Sequence, residues 1–211
     1  MTERVKLHLD TLLARYPALL SQKEALCSMF EILAGTYRNG GKLLVCGNGG
    51  SCADSEHIVG ELMKSFMFRR EIDEDVYEAL TEGGFEQVAK KLEGALPAIS
   101  LCNHSSLTTA YINDTDPLMT YAQQLYGFGA PGDVLMAIST SGNAQNCVNA
   151  VVVAKALGIK TVALTGRDGG KLAALCDSAI IVPEQETYKI QELHLPVYHC
   201  LCAMLEQEFF G

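Results

Sequence analysis

Five short, β-type apolar runs, separated by spacers long enough for helices, constrain this chain more than any other feature. The runs are Leu43–Cys46, Ala98–Leu101, Val134–Ile138, Thr161–Leu164 and Ile180–Val182. Continuous apolar strands fit a sheet covered on both faces, and the spacers fit right-handed crossover helices. The expected fold is therefore α/β, a doubly wound five-stranded parallel sheet of the flavodoxin-like kind. The commonest order for such a sheet is 2-1-3-4-5, which sets the loops leaving strands 1 and 3 across one crevice. Residues 1–39 carry two helical patterns, one from Val5 to Leu20 and one from Leu26 to Tyr37, with the break at Pro17. They read as a helical extension on a sheet domain covering 40–211, the whole forming one structural domain. The charged stretch 69–95 reads as mostly helical, and both a lid over a site and a cover for an interface stay open as its role.

Charge and cysteine usage exclude several classes. With 16 Lys+Arg against 25 Asp+Glu the formal charge is −9, which argues against a protein that tracks nucleic-acid phosphates along a basic face. A single small phosphate remains compatible, because amides at a helix start hold one locally. The opening MTERVKLHLD has no secretory h-region, and no stretch of about 18 apolar residues offers a membrane span. No membrane partner and a cytoplasmic location are the expectation. The eight cysteines, at 27, 46, 52, 102, 147, 176, 200 and 202, form no CxxC pair and mostly sit in apolar runs. They read as small buried hydrophobes rather than disulfides or a zinc ribbon.

Two loops carry unusual chemistry. The first, Gly47-Asn48-Gly49-Gly50-Ser51, follows strand 1 and opens a helix, where glycines permit close backbone approach to a ligand. It lacks both the GxGxxG spacing of dinucleotide folds and the GK[ST] of a P-loop, so a nicotinamide enzyme is disfavoured and a plain tight turn stays open. The second, Ser139-Thr140-Ser141-Gly142-Asn143, follows strand 3. Capping a helix needs one hydroxyl, and three leave donors for an oxyanion. Together at the expected crevice, the loops favour a phosphorylated ligand.

A metal-ligand pattern lies on two helical segments. His57 and Glu61 stand one turn apart on the first. Gln191 and His199 lie on the last, about 80° and about 12 Å apart on an ideal helix, with Pro196 between them. Two imidazoles, a carboxylate and an amide oxygen suit zinc or a similar divalent ion. From spacing alone, a surface His–Glu hydrogen bond remains the competing reading.

The segments GNGGSCADSEHIVGEL, AYINDTDP, ISTSGN, LTGRDGGKLA and IQELHLPVYH together resemble the sugar isomerase (SIS) domain, and within it the phosphoheptose (sedoheptulose 7-phosphate) isomerase family. The resemblance runs from about Arg38 to the C-terminus, apart from 69–95. It implies a phosphosugar aldose–ketose isomerase, a homotetramer with sites at subunit boundaries, and zinc held by His57, Glu61, Gln191 and His199. It further implies Glu61 as base, His199 as acid–base partner, and substrate contacts from Asn48, Gly49, Gly50, Ser51, Asn113, Asp114, Ser139, Thr140 and Ser141, with Glu61 and Gln191 facing the sugar.

The chain departs from the family pattern at Ala144, where a serine is common, and at Tyr188-Lys189, where an aspartate–arginine pair often stands. Ser65 replaces a common arginine, and the stretch between His57 and Asn113 is longer than usual. The metal set is intact while the sugar-facing set is altered, so the identity of the phosphosugar stays open. A non-catalytic SIS module, sensing a phosphosugar or docking a partner protein, is the alternative; the retained Gln191 and His199 count against it. His8 is expected at the surface, and His104 and His194 have no assigned role.

Overall fold

A computed structural model describes residues 1–211. Two helices, α1 (Glu3–Arg15) and α2 (Lys23–Arg38), come first, and a 3-10 turn beginning at Pro17 divides them. Proline suits that position because its missing N–H would be unpaired in a first helical turn anyway. The alternating part follows: β1 (Leu43–Gly47), α3 (Gly50–Met63), α4 (Glu74–Glu82), α5 (Glu86–Ala89), β2 (Ala98–Ser100), α6 (Ser105–Asp114) and α7 (Thr120–Phe128). It continues with β3 (Val134–Ile138), α8 (Gln145–Ala156), β4 (Lys160–Thr165), α9 (Gly170–Leu175), β5 (Ser178–Ile181) and α10 (Thr187–Phe210).

All five strands are parallel, in the order β2-β1-β3-β4-β5. Because strand side chains alternate, β1 sends Leu43 and Val45 into one core and Leu44 and Cys46 into another. The first core is closed by α1, α2, α3 and α10, the second by α7, α8 and α9. The N-terminal helices thus share their core with the sheet. In the charged stretch 69–95 only α4 and the four-residue α5 are helical. No helix is long and apolar enough to cross a membrane.

All eight cysteines are free thiols. Burial pushes Cys176 up to about 11 and Cys200 up to about 12, so both stay protonated, as small packing groups do. The order of β1 and β3 places the loops that leave them side by side, and the reversal of strand order opens the crevice there.

Candidate active site

At β1 the chain turns into α3 through Gly49, whose φ of +57° is a conformation that side chains rarely adopt. Gly50 opens the helix, and a Cβ there would come within 2.5 Å of the Gln191 side-chain amide. Its missing side chain is what lets α10 lie against the start of α3. Across the crevice, Asn48 and Asn146 exchange two amide hydrogen bonds, at 2.9 and 2.8 Å, tying the β1 loop to α8. Tyr121 adds a bond from its hydroxyl to the Gly47 carbonyl at 2.5 Å.

The loop after β3 folds on itself. Ser139 Oγ accepts from the Ala144 amide at 3.4 Å and Ser141 Oγ from the Asn143 amide at 3.2 Å. Asn48, Ser51, Ser139, Thr140, Ser141 and Gln191 line a cavity of about 200 Å³, completed by Ile138, Ala144 and Thr187. Six side chains expected at the ligand therefore share one hydroxyl-rich pocket. Thr187 escaped the sequence reading, since nothing in its neighbourhood marks the first turn of α10 as facing the serine loop.

A second cluster stands further along α3. His57 Nε2 lies 3.1 Å from Glu61 Oε1 and 3.4 Å from His199 Nε2. One donor atom from each of the three residues falls within 4.8 Å of the others. His57 is oriented from behind: its Nδ1 meets the Tyr198 hydroxyl at 3.0 Å, and that hydroxyl reaches Asp54 Oδ1 at 3.2 Å. Such an outer partner fixes which ring nitrogen faces a metal. Burial, followed by the Asp54 charge, raises the Tyr198 phenol and keeps it a hydrogen-bond donor. Burial and the neighbouring His57 lower His199, favouring the neutral imidazole that a cation requires. Two imidazole nitrogens, a carboxylate oxygen and an orienting tyrosine fit a divalent ion with mixed N/O preference.

Gln191, the fourth expected ligand, lies at the start of α3 over Gly50, two helical turns before His57, and borders the hydroxyl pocket. Residues 191 and 199 belong to one unbroken helix, so Pro196 is accommodated without ending α10. Asn113 and Asp114 stand exposed at the end of α6, hydrogen-bonded to each other at 2.7 Å, and neither lines the hydroxyl pocket. His8, expected at the surface, is half-buried and borders a cavity of about 280 Å³ together with His199, Phe66 and Pro196. The packing of α1 against α10 brings it there. His194 is buried and its Nε2 pairs with the Thr165 carbonyl at 3.1 Å, whereas His104 packs its ring on Phe128.

The end of α3 depends on a pair that sequence reasoning missed. Arg70 and Glu206 are both 0% exposed and meet at 2.8 Å. Arg70 also donates to the carbonyls of Leu62 and Glu61, at 2.6 and 2.8 Å, and Glu206 accepts from the amides of Phe66 and Met67. No basic residue occupies the last turn of α3, so this guanidinium caps the helix from outside and completes its orphan carbonyls. The only trace in the sequence is an acidic residue, Glu206, directly after the apolar run CLCAML.

Family models described as SIS domain match residues 12–93, 83–166 and 129–204. The phosphoheptose isomerase of Clostridium acetobutylicum is 38% identical over 188 residues, covering 89% of this chain and 84% of that protein. The chain belongs to the phosphoheptose isomerase family of SIS-domain proteins. The phosphoheptose isomerase of Akkermansia muciniphila is 34% identical over 211 residues, 100% of both chains. A solved phosphoheptose isomerase from Neisseria gonorrhoeae superposes with a TM-score of 0.75 at 32% identity, covering 97% of this chain and 98% of its own. In this member of the phosphoheptose isomerase family, Ala144 puts a methyl group on the pocket wall and Tyr188 is exposed. The Ser65 hydroxyl accepts from the Arg70 amide at 3.0 Å.

Proposed function

We propose that the chain is a phosphosugar aldose–ketose isomerase of the sedoheptulose 7-phosphate type. The observation that carries this reading is a hydroxyl-rich pocket and a His–Glu–His cluster sharing the same two helices, α3 and α10. Gly50 and His57 are seven residues apart, about 10 Å along a helix. That separation suits a sugar phosphate whose reacting carbons lie at the end away from the phosphate.

Isomerisation moves a proton between C1 and C2, with matching proton transfers on the oxygens. Glu61 is the proposed base. Its Oε1 is turned to His57 while Oε2 lies 3.3 Å from Lys64 Nζ, so one oxygen can help hold a cation and the other can take the proton. His199, neutral and half-buried, is the proposed acid–base partner for the oxygens. Ser51 and residues 139–141 hold the phosphate and turn its binding energy into orientation of the far carbons. Zinc or a similar divalent ion is the proposed cofactor, which His57, Glu61 and His199 would hold, with Gln191 as the proposed fourth ligand. Bound there, the ion supplies Lewis-acid stabilisation of the charge that develops on the sugar oxygens.

A homotetramer is proposed as well. Ile112, Leu118 and Tyr126 expose apolar surface around α6 and α7, the last at 66%, as an interface between copies would use. Asn113 and Asp114, which do not line the pocket of their own chain, are then the side chains offered to a neighbour's site.

The deciding experiment incubates the protein with C5–C7 ketose and aldose phosphates, with and without zinc, and follows interconversion. Conversion of a heptose phosphate that chelation removes is the expected result. No interconversion of any substrate by a folded, metal-loaded protein would overturn the reading.

A further inference from the structure

None of the nine residues lining the hydroxyl pocket carries a positive charge, although a phosphate seated there would bring a dianion into an acidic protein. We infer that Arg167 supplies the missing cation. The inference rests on the phosphosugar reading above and deepens it.

Arg167 reaches the rim of the pocket by two routes. Its Nη2 lies 3.5 Å from Thr187 Oγ1, and Thr187 lines the pocket. Arg167 also borders an adjoining, wholly polar cavity of about 350 Å³ with Ser141, Asn143, Asp168 and Gln185, and Ser141 is common to both cavities. The turn that carries it is fastened to the serine loop, since the Gly166 amide donates to the Thr140 carbonyl at 3.1 Å. Nε donates to the Gln185 carbonyl at 3.1 Å, which leaves Nη1 for an anion. Asp168, the acid of that cavity, turns one oxygen to the Gly170 amide at 3.1 Å instead of to the guanidinium.

The backbone adds an independent argument. Arg167 is the single non-glycine residue with positive φ, at 56°. A side chain there is unfavourable, and the turn already uses glycine at 166, 169 and 170. Strain of this kind persists where the surroundings impose it, and it clusters at ligand sites. Glycine would suit the backbone better at 167, whereas arginine places a planar, permanently charged donor fork beside the hydroxyl of Thr187 and on one cavity with Ser141.

The test titrates inorganic phosphate into the wild type, R167Q, R167K and R167G by thermal shift, and measures KM and kcat on the sugar phosphate. R167Q is expected to weaken phosphate binding about tenfold, the loss of one charge-assisted contact, with R167K intermediate. KM should rise by the same factor while kcat stays within about twofold, the pattern of lost uniform binding. R167G should melt no lower than the wild type without phosphate, yet bind phosphate as poorly as R167Q. Should R167Q fail to fold, R167G, free of the backbone strain, carries the measurement. Unchanged phosphate affinity and KM in R167Q or R167G would overturn the inference and leave the isomerase untouched. A wild type inactive on every sugar phosphate, but losing phosphate affinity in R167Q, would overturn the isomerase and keep Arg167.

Discussion

At the hydroxyl end of the site, Ser139, Thr140 and Ser141 follow one another along a single loop, whereas at the ionic end His57 and His199 come from helices 142 positions apart. The first end is a local product: a strand stops, the backbone turns, and adjacent residues present hydroxyls wherever that turn goes. The second exists only because α3 and α10 pack side by side and their ends are held in register by Arg70, Glu206 and Tyr198. The hydroxyl end should therefore survive changes that dismantle the ionic end, and the converse should not require long-range repacking.

The largest effect expected is from Glu61→Gln, which removes the proposed base. Turnover should fall by about 10²–10⁴-fold while inorganic phosphate still raises the melting temperature. Loss of both together would show that the two ends are one cooperative unit. Arg70→Met comes next: leaving Glu206 buried and unpaired should lower stability by about 3–5 kcal/mol, read from urea unfolding. The double change Arg70→Met/Glu206→Leu should recover most of that stability, and if it also recovers full metal affinity the capping of α3 has no bearing on the site.

Tyr198→Phe tests orientation alone. It strips His57 Nδ1 of its partner without changing the shape of the core, and should weaken divalent-ion binding by about 10–100-fold with phosphate binding unaltered. An unchanged metal titration would mean that His57 is held by packing instead.

The smallest effect concerns His194, which lies on α10 between Gln191 at one end and His199 at the other. Burial holds this imidazole below its usual range, and the bond to the Thr165 carbonyl only partly offsets that. With the folded value below the unfolded one, the unfolded chain takes up its proton first as pH falls below about 6.5. Native stability should then decline on acidification by at most about 1.4 kcal/mol per pH unit, until the folded group titrates as well. His194→Gln should flatten the melting temperature between about pH 7 and 5 relative to the wild type; an equally steep profile would place the acid sensitivity elsewhere.

Which features were legible in the sequence follows the same division. Apolar runs with helix-length spacers announced the parallel sheet, and its order, expected from the preference of small doubly wound sheets, is the order in which the strands pair. Strand limits moved by only a residue or two, as at β4, which begins at Lys160 and ends at Thr165. The glycine and serine loops could be read because their chemistry is contiguous. His57 and Glu61 could be paired because helical periodicity fixes which residues share a face. The placing of His8 beside His199 could not be read, because it depends on how α1 lies on α10. Nor could the partnership of Arg70 with Glu206, since opposite charges distant in sequence carry no mark of their pairing.

From the residues alone came the strands, the glycine and serine loops and the pairing of His57 with Glu61 on one helix face, all consequences of local periodicity and short-range backbone preference. The tertiary structure alone decided that α10 continues past Pro196, that Gln191 rests on Gly50 while His199 meets His57, and that Asn113 and Asp114 do not line the hydroxyl pocket. Those outcomes turn on the packing of surfaces far apart along the chain, where close contact and exclusion of water select one arrangement among many that local preferences permit equally.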